Sequence, residues 1–261
     1  MRFKDYFFSY LRLPLLLRIF SIIGPLIILF GIIIHFIEPT NFPTIFEGIY
    51  WAVITGATVG FGDFVPKTAY GRMMSILLVF MGSAFIGFFT VNVAAAIIQK
   101  QNKYKEGNFM FKGREHLIIV GWNERSKQTI SELLHQPQPP YKHIVLIDET
   151  LKENPMYQQE LLFINGSPVQ DDTWAQANVK TASTVLITAD QNLKESAADM
   201  QTILAVLTVR GVHPDVVILA EILTAEQKQN GYRAGADDLI TTTVIASNVM
   251  VNRLHDLQKR N

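Results

Sequence analysis

Two long stretches of this chain carry no charged side chain. From Ile19 to Ile37 there are 19 residues without Asp, Glu, Lys or Arg, and from Met73 to Gln99 there are 27. A bilayer core about 30 Å thick takes roughly 20 helical residues. The pattern therefore predicts transmembrane helices over 19–37 and 72–99. The first is not a secretory signal, because its apolar core is too long. His35, Phe36, Ile37 and Glu38 also stand where a small-residue cleavage site belongs. The second, at 1.5 Å per residue, is about 40 Å long and outruns the membrane. Between them Ile45–Ile54 is apolar but too short to span, which suits a re-entrant half-helix over 44–55. Thr44 and Glu47, three apart at its start, have the spacing of a capping box.

Beyond residue 115 the pattern changes to short apolar runs separated by helical periodicity. Strands are predicted at His116–Val120, His143–Ile147, Leu161–Ile164, Thr184–Ile187, Val216–Leu219 and Asp238–Thr241. Helices are predicted at Arg125–Leu134 and Glu195–Val212. Six short strands alternating with helices predict a parallel, doubly wound, Rossmann-type α/β sheet. A last helix, Val244–Gln258, is apolar on one face and reads as a subunit-packing element.

Charge sharpens this division. The 261 residues hold 23 basic and 23 acidic side chains and no cysteine. A disulfide framework, a thiolate zinc site and a cysteine nucleophile are thereby excluded. The zero net charge is a sum of +5 over residues 1–115 and −5 over 116–261. Arg2, Lys4, Arg12 and Arg18 precede the first span; Lys100, Lys103, Lys105, Lys112 and Arg114 follow the second. Only Lys67 and Arg72 lie between the spans, so both termini are expected in the cytoplasm. The basic residues then face the inner membrane surface, and no nucleic-acid partner is expected. Residues 1–18, with Tyr6, Phe7, Phe8 and Tyr10 among basic residues, read as an interfacial segment. Residues 100–114 read as a linker to a cytosolic domain over 115–261.

The hexapeptide Thr58-Val59-Gly60-Phe61-Gly62-Asp63 resembles the selectivity filter of potassium channels, with Phe61 in place of the usual tyrosine. Glycines at alternate positions let an extended segment point successive carbonyls toward one axis. Four copies stack rings of oxygens that replace the hydration shell of K⁺. The resemblance implies that the Thr58–Phe61 carbonyls and the Thr58 hydroxyl face K⁺, and that Asp63 sits at the outer mouth or braces the filter. It also implies a pore support from Trp51 and Glu47, and a homotetramer in the plasma membrane. Gly82 reads either as a gating hinge or as a close-packing site. Asn92 reads as facing the cavity below the filter. No arginine-rich voltage-sensor helix is present in the sequence.

The second half resembles the RCK domain, the TrkA-N-like regulator of K⁺ conductance. The matching segments are Ile119-Val120-Gly121-Trp122, Asn165-Gly166-Ser167-Pro168, Leu219-Ala220-Glu221 and Arg233-Ala234-Gly235-Ala236-Asp237. The chain is thus similar to prokaryotic two-transmembrane potassium channels with a cytosolic RCK domain, whose ligand-driven ring gates the pore. Members commonly carry a further C-terminal ligand-binding lobe, and no such lobe lies within these 261 residues. The gating ligand is left open between a nucleotide and Ca²⁺. For a nucleotide the candidates are Gly121, Asn123, Asp148 and Gly166, although only the first glycine of G-x-G-x-x-G is present. For Ca²⁺ they are Glu221 and Asp190, with Leu223 where the family has an acid. Met110 is a possible internal start for soluble copies completing an octameric ring. A transporter subunit, a non-conducting regulatory paralogue and a membrane-tethered oxidoreductase are the rival readings.

Overall fold

A computed structural model describes residues 14–159 and 161–259, so most of the interfacial segment expected at 1–18 lies outside the described residues. The chain divides into two compact units, residues 1–98 and 99–261. Among its described residues the first unit holds three helices. Helix α1 (Leu15–Ile37) begins four residues before the expected span, directly after Pro14, and takes in Arg18. Helix α2 (Ile45–Gly56) is the short apolar one. Thr44 caps it, accepting from the Glu47 amide, while the Glu47 carboxylate accepts from the Thr44 amide at 2.9 Å. Helix α3 (Ala69–Lys105) is unbroken over 37 residues.

The apolar surfaces of α1 and α3 face outward. Only 22% of the α1 span and 11% of the α3 span are buried. The core helix of a soluble protein would be buried, so these helices need a lipid or protein surround. The small interior of this unit is formed by Phe30, Ile34, Phe42, Trp51, Ala52 and Leu78. Trp51 packs edge-on against Phe42, with ring centroids 5.5 Å apart.

The second unit is a six-stranded parallel sheet: β1 (Leu117–Val120), β2 (Ile144–Asp148), β3 (Leu162–Asn165), β4 (Thr184–Ile187), β5 (Val217–Glu221) and β6 (Asp238–Ile240). The intervening helices are α4 (Glu124–Leu134), α5 (Asp171–Gln176), α6 (Glu195–Val212) and α7 (Lys228–Arg233), and α8 (Thr242–Gln258) follows β6. Strand order is β3-β2-β1-β4-β5-β6, the doubly wound order whose direction reverses between β1 and β4. Strands β1 and β2 are buried throughout and read as continuous apolar runs, as parallel strands covered on both faces do.

The expected linker 100–114 is not a free tether. Helix α3 continues through Lys105, and the residues after it are fastened to the sheet unit. The Lys105 carbonyl accepts from Asn154, Gly107 from Asn165, and Gly113 from the side chains of Asn178 and Thr181. The Phe111 amide donates to Gln176 and that of Glu115 to Thr181. The Lys105 ammonium also pairs with the Glu153 carboxylate at 2.6 Å. A backbone with so many partners leaves little slack between the end of α3 and β3.

Candidate functional site: the 58–63 segment and the sheet crevice

The segment after α2 hangs on that helix's last turn. The Thr58 amide donates to Thr55 at 3.0 Å, and the Val59 amide to Ile54 at 2.9 Å. The backbone then alternates in hand: φ is +59° at Thr58, +60° at Gly60 and +79° at Gly62, while Val59 and Phe61 keep negative values. Glycine takes positive φ freely, but a β-branched residue in that region is strained. Residues of alternating hand turn successive peptide planes back upon each other, which brings their carbonyls to one side of the strand. Thr58 thus extends the alternation one step before the first glycine, a feature the residue types alone do not announce. The C-terminal end of α2, the negative pole of its helix dipole, lies two residues from Thr58 and favours a cation there.

Val59 and Phe61 are 54% and 71% exposed in the isolated chain. Asp63 accepts from the Phe64 amide at 3.0 Å. Behind this segment Glu38, at the end of α1, is 4% exposed. Its carboxylate accepts from the Lys67 amide at 3.0 Å, the Thr68 amide at 2.8 Å and the Thr68 hydroxyl at 2.6 Å. Asn41 donates to the Val65 carbonyl at 2.6 Å. The return from Asp63 to α3 is therefore stitched to α1, a role for Glu38 that its position in the sequence did not indicate. Glu47 is engaged in the α2 cap, and Trp51 in the interior against Phe42. Asn92 turns its amide back to the Phe88 carbonyl at 2.7 Å. Gly82 is buried, and a Cβ there would fall 2.7 Å from the Gly56 Cα and closer still to its carbonyl oxygen.

In the sheet unit, the switch point between β1 and β4 opens into a crevice. Gly121, Asn123, Asp148, Thr150, Thr188 and Asp190 are among the residues that line it, with Pro168 beyond them. It is narrow, about 60 Å³, where ligand pockets occupy roughly 300–1,000 Å³. Gly121 has φ +88°, and a Cβ there would meet the Thr188 hydroxyl at 2.8 Å. Asn123 caps α4 by accepting from the Ser126 amide at 3.0 Å, and its own amide group donates to Thr188 at 3.0 Å and Ala189 at 3.2 Å. The helix N-terminus that would cradle a pyrophosphate is thus occupied by a side chain. Asp148 accepts from the Trp122 amide at 2.8 Å with one oxygen, and from the Thr150 amide and hydroxyl, both at 2.7 Å, with the other. Gly166 lies outside the crevice lining; a Cβ there would strike Thr173. No lysine or arginine is among the lining residues.

Glu221 and Asp190, the two calcium candidates, each have other partners. Glu221 is buried beside Arg125, 2.8 Å from its Nε, and also accepts from the Ala189 amide at 2.8 Å and the Thr242 hydroxyl at 2.7 Å. Asp190 accepts from the Asn192 amide in its own turn. Among the described residues no three His, Asp or Glu side chains converge to hold a metal ion. Arg125, one residue after the acid that faces solvent at Glu124, supplies the cation that the sequence reading left out.

Comparison with known proteins places both halves. Residues 22–99 match a family described as ion channels, and residues 117–242 match the TrkA-N domain. YugO of Bacillus subtilis (strain 168), which bears the name of a potassium channel protein, is 42% identical over 251 residues, covering 96% of this chain and 76% of YugO. The calcium-gated potassium channel TvoK of Thermoplasma volcanium is 25% identical over 233 residues, 86% of this chain and 66% of TvoK. Among solved structures a point mutant of the GsuK channel superposes with a TM-score of 0.58 at 18% identity, over 87% of this chain and 60% of that one. GsuK has also been solved bound to NAD and to ADP. The chain therefore spans well short of the whole length of TvoK and GsuK.

Proposed function

The chain belongs to the potassium channels that join a two-helix ion-channel module to a TrkA-N (RCK) domain, and from that premise we propose a K⁺-selective pore gated by a cytosolic ligand through an RCK ring. The observation that carries the pore is the alternating hand of the backbone at Thr58, Gly60 and Gly62. One copy supplies one wall of carbonyls, so four copies around an axis complete the ion path. The outward apolar side chains of α3 and the exposed Val59 and Phe61 provide the surface on which the copies meet. K⁺ is the cargo; Thr58, Val59, Gly60 and Phe61 offer it backbone oxygens. Both termini face the cytoplasm.

The ring is supported by two exposed apolar faces of the sheet unit, Met200, Leu204 and Leu207 on α6, and Val249, Leu254 and Leu257 on α8. Four tethered domains form it, and four soluble copies started at Met110 complete an octamer. The ligand that fits the crevice best is a nucleotide that enters through its ribose and base. The walls offer amides, hydroxyls and carboxylates but no cation for a phosphate, and Asn123 closes the pyrophosphate position. A ligand that binds must widen the cleft between β1 and β4. It then prefers one ring shape over the other, the condition for any ligand to shift a gate. Because residues 105–115 are fastened to the sheet unit, its motion reaches α3 without slack in the chain.

The test is K⁺ flux from liposomes holding the purified protein, with adenine nucleosides, nucleotides, Ca²⁺ and pH varied on the cytosolic side. Flux of K⁺ but not Na⁺, changed by an adenine compound, is expected. Equal K⁺ and Na⁺ flux refutes the pore reading. Identical responses after deletion of residues 116–261 refute gating through the ring.

A further inference from the structure

Helix α2 is gripped between α1 and α3 at two points where backbone meets backbone. Near its start, a Cβ on Gly48 would lie 3.0 Å from the Gly31 carbonyl carbon and closer to its oxygen, while a Cβ on Gly31 would run into Ile49 at 2.6 Å. At its end, Gly82 of α3 lies flat against Gly56; a Cβ on Gly82 would sit 2.7 Å from the Gly56 Cα and 2.8 Å from its carbonyl carbon. Bonded side-chain carbons do not approach other atoms so closely, and small residues are what allow helices to meet in this way in a membrane.

The geometry points to Gly82 as a positioning residue for the 58–63 segment: it lets α3 brace the end of α2 and so holds the base of the ion path. Gly56 is two residues from Thr58, and the Thr58 and Val59 amides hang on carbonyls of that same last turn, Thr55 and Ile54. A displacement of Gly56 therefore passes directly to Thr58, whose φ of +59° is already unfavourable for threonine. Gly82 lies so close to the Gly56 backbone that a Cβ has no room. Gly87, five residues further along the same helix, has no atom within 4 Å of a Cβ position, and neither has Gly24 of α1. The asymmetry of the contact is informative. A Cβ on Gly56 would meet only the Leu78 Cδ1, at an ordinary 3.7 Å, so the requirement for glycine rests on the α3 side.

This inference rests on 58–63 being the selectivity filter, and the experiment separates the two. Full-length wild type, Gly82→Ala, Gly56→Ala, Gly87→Ala and Gly24→Ala are reconstituted. Their K⁺-to-Na⁺ permeability ratios are read from bi-ionic reversal potentials, beside the thermal stability of the tetramer with K⁺ or Na⁺. A wild type without K⁺ preference removes the filter reading itself. With a selective wild type, Gly82→Ala is expected to lower the permeability ratio at least tenfold and to lose the stabilisation by K⁺. Gly87→Ala and Gly24→Ala should keep both, and Gly56→Ala should be milder than Gly82→Ala. Failure of Gly82→Ala alone to assemble also supports the contact, because a hinge glycine replaced by alanine yields a better-formed helix. A Gly82→Ala channel with wild-type permeability ratio and altered ligand response overturns the inference in favour of a hinge. Equal loss of selectivity in all four variants overturns it as well.

Discussion

Replacing Arg125 by methionine keeps most of its aliphatic stem but removes the guanidinium from Glu221. The Glu221 side chain is 4% exposed and would keep two hydrogen bonds, from the Ala189 amide and the Thr242 hydroxyl, while losing its cation. The Ala189 carbonyl would lose the Arg125 Nη2 donor, now at 3.1 Å. Breaking a fully buried pair costs about 3–5 kcal/mol, and an exposed pair contributes about 0–1 kcal/mol. Arg125 is 35% exposed, which places this pair between the limits, and a cost of about 2 kcal/mol follows. For a domain of this size that is a fall of roughly 4–8 °C in Tm. Thermal unfolding of the detergent-solubilised protein, followed by tryptophan fluorescence, reads it directly. Trp122 and the fully buried Trp174 both lie in this domain. The double variant Arg125→Met/Glu221→Gln removes both charges at once and should recover most of the loss. A single variant with an unchanged Tm, or a double variant no more stable than the single, refutes the assignment of a structural ion pair at the ends of β4 and β5.

Glu38→Gln places an amide group where one carboxylate oxygen now accepts from Lys67 and Thr68. We expect K⁺ currents that decay several-fold faster with unchanged unitary conductance; an unaltered time course in patch recordings contradicts the role given to Glu38. Phe61→Tyr should leave the K⁺-to-Na⁺ permeability ratio unchanged, since in the proposed filter the ion meets a backbone oxygen there, and a shifted bi-ionic reversal potential would count against this. His116 is fully buried, with Nε2 bonded to the Ala177 carbonyl at 2.9 Å, Phe111 edge-on at 4.7 Å, and His143 facing the same Phe111 ring. Burial, the largest cause, lowers its pKa below the ordinary 6.5. The unfolded chain therefore binds the proton first, so stability is complete above pH 6.5 and falls as pH drops from there toward the folded pKa. Melting curves from pH 8 to 5 should show this fall, and it should flatten in His116→Gln.

Much of the fold was legible because it is written in local patterns. The cap on α2 was visible in the spacing of Thr44 and Glu47, and α6 was predicted with its observed limits, Glu195–Val212. Strand β4 also has its predicted limits, Thr184–Ile187, and the other five strands shifted at one or both ends by one or two residues, as at β5, where pairing with β6 carries the strand on to Glu221. The nucleotide and calcium candidates fared differently. Asn123 at the head of α4 and Asp148 and Glu221 at strand ends are polar residues, the right type in the right place. Whether such a group is free for a ligand depends on its neighbours, and here Ser126, Trp122, Thr150 and Arg125 already engage them. How the linker is held was not legible for the same reason, because its hydrogen bonds go to residues 40 to 70 positions away.

By itself the sequence determined what depends on neighbours along the chain. The length of the two uncharged runs, the alternating glycines of 58–63 and the six apolar strands follow from transfer free energy and backbone sterics, which act residue by residue. The tertiary structure alone decided which residues meet: Gly56 with Gly82, Glu38 with Thr68, Arg125 with Glu221, and Gly113 with Asn178. Those contacts brace the ends of α1 and α2 and tie the sheet unit together. They arise only when close packing brings distant segments within a few ångströms, where a single Cβ or a single charge changes which arrangement is stable.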